Sequence, residues 1–156
     1  MNSSIVIVSA ARTPMGAFQG HLSAVTAPDL GAPIIKAGID RAGMDKSQID
    51  EVLMGNVLSA GVGQAPARQA ALKAGLSHAT SATTISKVCG SGMKSVMLAF
   101  DQIKAGTIDI AIAGGMENMS LAPYFLPRAR SGQSLWHGQI GAHMFYDSLQ
   151  NAHDGH

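Results

Sequence analysis

The chain has 156 residues, of which 46% are hydrophobic and 13% are charged, and its formal net charge is +1 at pH 7. A net charge this close to zero gives no electrostatic attraction for nucleic acid or for an anionic membrane surface, so we expect neither partner. The length suffices for one domain with its own core. The low charged fraction indicates surface that is buried against partners or against more of the same protein.

Disulfides, secretion and membrane spans are not predicted. The only cysteine is Cys89, which excludes an internal disulfide. The first cation, Arg12, follows the first apolar run instead of preceding it, unlike the order in a secretory signal. No apolar stretch reaches the roughly 18 residues of a membrane span. We therefore expect a cytoplasmic protein.

Short apolar runs alternate along the chain with segments whose apolar residues recur at helical spacing. The strands are predicted at residues 4–11, 50–58, 81–88 and 108–115, and the helices at residues 29–42, 66–74 and 91–105. This alternation is typical of parallel strands joined by crossover helices. The sequence therefore predicts an α/β fold, with a mostly parallel sheet and helices on both faces.

Capping residues mark the ends of the predicted helices. Asp29 is a candidate N-cap for the first helix, and Gly43 is a candidate stop. Pro33 conflicts with this helix unless it lies in the first turn, where a missing N–H group costs nothing. Pro66 suits the first position of the second helix, and Gly106 closes the third.

Residues 118–156 follow a different pattern from the rest of the chain. They contain prolines, glycines and four of the six histidines, with one short helical pattern near residues 142–149. We therefore divide the chain into an α/β domain at residues 1–117 and a second, incomplete segment at residues 118–156.

The single cysteine lies where the third predicted strand meets the third predicted helix. Cys89 is followed by Gly90 and Gly92, which allow a sharp, close-packed turn. The free N–H groups and the dipole of a helix N-terminus favour an anion, and a thiolate is such an anion. Hydrolases display a serine nucleophile at a similar strand–turn–helix elbow. Cys89 is therefore a candidate nucleophile, at the start of what we expect to be the longest buried helix.

Other interpretations of the same stretch stay open. Free cysteines are often buried and only fill space, which would give Cys89 a structural role. Ser91 is a weaker candidate nucleophile, because its surroundings do not fit the G-x-S-x-G pattern. A redox-sensing cysteine normally has a resolving partner, and this chain has no second cysteine. Residues 61–66 lack the third glycine of a dinucleotide fingerprint, and no ligand cluster indicates zinc, so no cofactor and no metal are predicted.

Four motifs, in order along the chain, resemble the thiolase family and most closely its acetyl-CoA acetyltransferases. They are SAARTPMGAFQG, GNVLSAGVGQAPARQAALKAGL, KVCGSGMKSVMLA and IAIAGGMENMSLAPY. The resemblance covers essentially the whole chain, with Ser86 where the family usually has asparagine. It implies the N-terminal α/β layer of a thiolase, followed by the start of the loop domain that covers CoA.

The resemblance also implies a reaction. In thiolases the cysteine of the C-G-S-G turn takes an acyl group from an acyl-CoA, and the matching residue is Cys89. Two acetyl-CoA then give acetoacetyl-CoA and CoA, and the reverse reaction is thiolysis. Acyl-CoA and CoA would be substrates rather than cofactors. The family further implies a role in fatty acid metabolism and a full-length homotetramer or homodimer.

Parts of the family's catalytic machinery do not occur in this sequence. Thiolases are much longer, and their second half supplies a Gly-His-Pro histidine, a Cys-x-Gly cysteine and an Asn-Glu-Ala motif, none of which is found here. We therefore expect the N-terminal part of a thiolase, without turnover of its own. His156 matches the histidine of a family His-Met-Gly motif near the bound thioester. It is a candidate substrate-binding residue, with an exposed histidine of no function as the alternative.

Other functions remain as alternatives. A truncated, non-catalytic product would act only as a folding or association unit. A 3-ketoacyl-CoA thiolase would accept a broader range of acyl chain lengths. Condensing enzymes of fatty-acid and polyketide synthesis share the fold implied by the resemblance. Because they surround their cysteine with a different motif, the sequence CGSGMK argues against them.

Overall fold

A computed structural model of the chain describes residues 4–132, 135 and 137–155. The helices are α1 (Ala27–Ala42), α2 (Pro66–Lys73) and α3 (Ser91–Lys104), and the strands are β1 (Glu51–Gly55), β2 (Ser81–Ile85), β3 (Ala111–Gly115), β4 (Tyr124–Phe125) and β5 (Gly141–Ala142). Short 3₁₀ turns occupy Lys46–Gln48, Met119–Leu121 and Ala129–Ser131, and a π-helical turn spans Phe145–Leu149. Within the described residues, no helix combines the length and apolar character needed to cross a bilayer.

The main sheet has three parallel strands, with β1 between β2 and β3. Glu51 at the start of β1 is in register with Ser81 of β2 and with Ala111 of β3. All three strands therefore end at the same edge of the sheet. The short strands β4 and β5 form a separate antiparallel pair. The predicted α/β class with a mostly parallel sheet is confirmed.

Helices cover both faces of this sheet, as the sequence predicts. Val52 and Met54 of β1 belong to a core shared with α1 and α2. Because successive side chains of a strand point to opposite faces, Leu53 and Gly55 face α3 instead. The α1–α2 core consists of small and aliphatic residues: Ala27, Ala32, Ile35, Ile39, Ile49, Val52, Met54, Ala67, Ala70, Ala71, Ala74, Leu76 and Met116.

Helix α1 begins earlier than the sequence indicates. Thr26 is the N-cap, and its hydroxyl accepts a hydrogen bond from the N–H of Asp29, so Asp29 lies inside the first turn. Pro28 occupies the favourable first turn, whereas Pro33 lies in the helix interior. The predicted stop is confirmed, since Gly43 adopts a left-handed conformation with φ +66°.

The first predicted strand is wrong. Residues 4–11 form no strand and pair with no strand in the described part of the chain. Val6, Ile7 and Val8 are 68%, 82% and 66% exposed. An apolar, β-branched run becomes a strand only where another backbone meets its N–H and C=O groups. Here the described contact to this backbone is one bond, donated by Arg41 Nη1 to the C=O of Ala10.

Three further expectations need adjustment. Helix α1 has 16 residues and α3 has 14, so the helix after Cys89 is not the longest. It is also only partly buried, because apolar side chains on its outer side are exposed. The helical pattern expected near residues 142–149 corresponds to β5 followed by the π-helical turn Phe145–Leu149. The boundary at residue 117 stays a prediction.

Candidate active site

Cys89 lies in the turn between β2 and α3, and its side chain is exposed. Gly90 is the N-cap of α3, and the first helical residue is Ser91. Cys89 therefore immediately precedes the N-cap, within the range predicted from the sequence. Among the described residues, no side chain caps the N–H groups at this helix N-terminus.

The turn that carries Cys89 is tight and unusual in its backbone. The N–H of Gly90 donates to the C=O of Lys87 at 3.0 Å, and the N–H of Ser91 donates to the C=O of Val88 at 3.1 Å. Val88 has φ +46°, a left-handed conformation that a β-branched residue rarely adopts. The elbow predicted between strand and helix is therefore present, with its bend at the residue before the cysteine.

The N-terminus of α3 lies directly on the carboxyl edge of the sheet. A Cβ atom placed on Gly55, the last residue of β1, would lie 2.6 Å from the backbone N of Gly92. A Cβ atom on Gly115, the last residue of β3, would lie 3.2 Å from Cα of Gly92. Glycine at these strand ends is thus what lets the helix approach so closely. In parallel α/β sheets this edge is where ligands bind.

A cavity of about 410 Å³ opens beside Cys89 at this edge. Its lining comes from the ends of β1 and β3 and the residues that follow them, from the turn between β2 and α3, from the start of α3 and from the π-helical turn: Gly55, Val57, Leu58, Val88, Cys89, Ser91, Gly92, Gly115, Met116, Glu117, Met119, Ser148 and Leu149. The lining is mainly apolar, with one thiol and one carboxylate. A volume in this range suits a small organic ligand.

Glu117 is the carboxylate in that lining, and it joins two loops of the sheet edge. Its carboxylate accepts hydrogen bonds from Asn56 Nδ2 at 2.7 Å, from the N–H of Val57 at 2.8 Å and from the N–H of Leu58 at 3.2 Å. Burial raises the pKa of the Glu117 carboxyl above its ordinary value, and the N–H donors only partly offset this effect. The arrangement fastens the loop after β1 to the end of β3.

His143 links the segment after residue 117 to the same loop. Its Nδ1 lies 2.5 Å from Asp147 Oδ2, and its Nε2 accepts a hydrogen bond from the N–H of Ala60 at 3.4 Å. These two contacts fit a tautomer with the proton on Nδ1. The histidine thereby holds the turn that carries Ser148 and Leu149 against the cavity.

The structure brings one of the two predicted site residues into the cavity lining, namely Cys89. The other, His156, lies outside the described residues. Ser91 is buried and its hydroxyl is already engaged in two hydrogen bonds, which agrees with its low rank as a nucleophile. Glu117 was missed by the sequence analysis. The available signal was a lone acidic residue directly after an apolar strand.

Comparison with known proteins decides the family. The thiolase N-terminal domain matches residues 5–156. The chain belongs to the thiolase family. This confirms the predicted membership, which depended on motifs around Cys89 and along the rest of the sequence.

Curated relatives of this thiolase-family chain carry the name acetyl-CoA acetyltransferase. The protein from Escherichia coli K12 is 55% identical over 152 residues, which are 97% of this chain and 39% of the relative. The protein from Cupriavidus necator is 51% identical over the same shares of both chains. The protein from Pseudomonas aeruginosa is 47% identical over 95% of this chain and 38% of the relative. The chain thus spans about two fifths of the length of these relatives.

Proposed function

We propose that Cys89 is the nucleophile of an acyl transfer between CoA thioesters, and that acetyl-CoA is the acyl donor. The observation that carries this proposal is the placement of an exposed thiol at a helix N-terminus and in the lining of a 410 Å³ cavity. Membership of the thiolase family and the names of the relatives support the same chemistry. The complete protein would carry out the synthesis and thiolysis of acetoacetyl-CoA.

The first step transfers the acyl group from the sulfur of CoA to the sulfur of Cys89. The Sγ atom of Cys89, as the thiolate, attacks the carbonyl carbon of the acyl-CoA and forms a new carbon–sulfur bond. The bond from that carbon to the CoA sulfur then breaks, and CoA leaves as a thiolate that takes up the proton lost by Cys89. The acyl group remains on the protein as a thioester and passes to the second nucleophile in the next step.

Several features of the cavity suit this step. A nucleophile must be reachable, and Cys89 is exposed. The N-terminal end of α3, where the N-cap makes no side-chain hydrogen bond, favours the negative charge that develops on the carbonyl oxygen. The mainly apolar lining fits a short acyl chain rather than a charged group.

We propose that acylation is as far as the 156-residue chain can proceed. Carbon–carbon bond formation requires removal of a proton from C2 of acetyl-CoA, which needs a positioned base worth about 10²–10⁴-fold in rate. Glu117 does not fit this role, because three N–H donors already occupy its carboxylate. Oligomeric state, cytoplasmic location, a role in fatty acid metabolism and the range of acyl chains remain predictions from the sequence.

The test is to incubate the chain with acetyl-CoA and to map the mass of its peptides. We expect one acetyl group on the peptide that contains Cys89, removable by a thiol. The Cys89→Ser variant should gain none. As a matched control, Thr107→Cys in the Cys89→Ser background keeps one exposed thiol but moves it to the loop after α3. Acetylation of that control at the rate of the original chain would overturn the proposal.

A further inference from the structure

The hydroxyl of Ser91 joins the residues that precede Cys89. Ser91 Oγ accepts a hydrogen bond from the N–H of Lys87 at 2.8 Å and donates one to the C=O of Val88 at 2.6 Å. Ser91 itself is only 4% exposed, so its hydroxyl is largely shielded from water. One buried hydroxyl thus satisfies a donor and an acceptor in the turn that carries the thiol.

The turn needs such support because Val88 has φ +46°. Left-handed backbone brings the Cβ atom of an L-residue close to its own carbonyl oxygen, and branching at Cβ makes the crowding worse. Such a residue persists only when its surroundings hold it there. Two bonds fix its carbonyl oxygen, one from Ser91 Oγ and one from the N–H of Ser91 at 3.1 Å.

Ser91 is itself fixed by its neighbours. A Cβ atom on Gly55 would lie 2.8 Å from Ser91 Cβ, which shows how closely Ser91 packs on the end of β1. Its C=O accepts a hydrogen bond from Ser95 Oγ at 3.0 Å, but this bond lies within α3 and does not involve the Ser91 hydroxyl or residues 87–88. The position of the Ser91 hydroxyl therefore follows from the packing of Ser91 on the end of β1.

We propose that Ser91 is a positioning residue, whose hydroxyl holds Val88 in its left-handed conformation and thereby directs the thiol of Cys89 into the cavity. Ser91 does not touch the acyl group and acts through the backbone. The contribution of this positioning to catalysis rests on the proposed function, whereas its effect on the reactivity of the Cys89 thiol does not.

The first experiment measures the second-order rate constant for alkylation of Cys89 by iodoacetamide at constant pH. Ser91→Ala removes the hydroxyl and leaves the N–H of Lys87 unpaired, so Val88 relaxes and the thiol leaves the helix N-terminus. We expect the rate constant to fall about tenfold. Ser95→Ala is the matched control, because it removes the same hydroxyl oxygen from a fully buried serine one turn further along α3. We expect it to change the rate constant less than about twofold.

The second experiment is a rescue that a merely structural role would not produce. Glycine adopts positive φ without strain, so Val88→Gly keeps the bend without the help of Ser91. In the Val88→Gly background, Ser91→Ala should lower the rate constant less than about threefold. An equal loss in both backgrounds, or a loss in Ser95→Ala as large as in Ser91→Ala, overturns the proposal.

If Ser91→Ala does not fold, the unaltered chain still supplies a test. The amide of Lys87 should be protected from hydrogen exchange, and the three-bond coupling of the Val88 amide should report a left-handed φ. An unprotected Lys87 amide with an extended Val88 overturns the proposal. The alkylation results do not depend on acetyl-CoA. If the chain is not acetylated by acetyl-CoA but still shows the Val88→Gly rescue, the proposed function is refuted and the role of Ser91 is supported.

Discussion

The two faces of the parallel sheet carry helices of similar amphipathic character, but those helices are covered differently. On one face, Ile35 and Ile39 of α1 are buried in the core that α1 shares with α2 and β1. On the other face, Met97 and Phe100 on the outer side of α3 are 50% and 46% exposed. The buried positions of α3 are small residues that face the sheet: Ser91, Ser95 and Ala99.

The two faces therefore contribute to different properties: one mainly to stability and the other mainly to the site around Cys89. The α1–α2 face contributes most of the buried aliphatic surface and therefore most of the hydrophobic stabilisation. The α3 face contributes little such surface, yet its N-terminus and its close approach to glycine form the cavity wall beside Cys89. We expect substitutions on the first face to unfold the chain and substitutions on the second to change the site.

The largest loss of stability is expected from truncating a side chain in the core between α1, α2 and β1. Ile35→Ala should lower the free energy of unfolding by about 2–5 kcal/mol, because it leaves a cavity in a core that cannot fully collapse. Met97→Ala, on the exposed side of α3, should change it by no more than about 0.5 kcal/mol. Urea denaturation followed by circular dichroism measures both. Equal losses would mean that the outer face of α3 is covered in solution.

A smaller loss of stability is expected at the sheet edge, where α3 packs against the end of β1. Gly55→Ala places a methyl group against the backbone of α3, so it should cost about 1–3 kcal/mol of stability and displace the start of the helix. Gly38→Ala is the control within α1, where a Cβ atom meets nothing within 4 Å. It should be neutral or stabilise by up to about 1 kcal/mol, since glycine is unfavourable inside a helix. A neutral Gly55→Ala would refute the close approach.

The pH dependence of stability tests the burial of Glu117. Its folded-state pKa is raised, chiefly by burial, so the folded chain binds this proton more tightly than the unfolded chain does. The resulting stabilisation is fully present below the ordinary pKa of an unfolded glutamate and is lost as the pH rises through the folded pKa. The free energy of unfolding relative to Glu117→Gln should therefore fall across that range in urea titrations. A difference that grows with pH would show that the N–H donors outweigh burial.

The smallest effect concerns the solvent side of α1. Lys36 and Asp40 form an exposed ion pair one helical turn apart, with 2.6 Å between Nζ and Oδ2. Exposed pairs of this kind contribute little, so Asp40→Asn should lower the free energy of unfolding by no more than about 0.5 kcal/mol. Adding salt should reduce even that difference. A loss comparable to that of Ile35→Ala would contradict the assignment of stability to the core.

Much of the fold could be predicted because its signals are local. The helical spacing in α1 to α3, the apolar strands of the sheet and the glycine after α1 all depend on residues close together in sequence. The same holds for Cys89, whose position between a strand and a helix is visible in the sequence alone.

What the sequence did not reveal depends on distant partners. Residues 4–11 have the composition of a strand, but pairing decides the structure and no described strand pairs with them. Glu117 binds the loop after β1 across about sixty positions of the chain. The left-handed conformation of Val88 is unexpected for a β-branched residue. The buried carboxylate and the strained turn both occur beside the cavity, where local rules often fail for functional reasons.

Two thiols in one molecule can show whether the position of Cys89 makes it the acyl-accepting nucleophile. Thr107→Cys, with Cys89 retained, gives a chain with the native thiol at the elbow and a second, ordinary thiol on an exposed loop. Time-resolved peptide mapping after addition of acetyl-CoA gives both acetylation rates under identical conditions. We expect Cys89 to be acetylated at least about tenfold faster than the introduced thiol. Equal rates, or faster acetylation of the introduced thiol, would contradict the assignment of Cys89 as the acyl-accepting nucleophile.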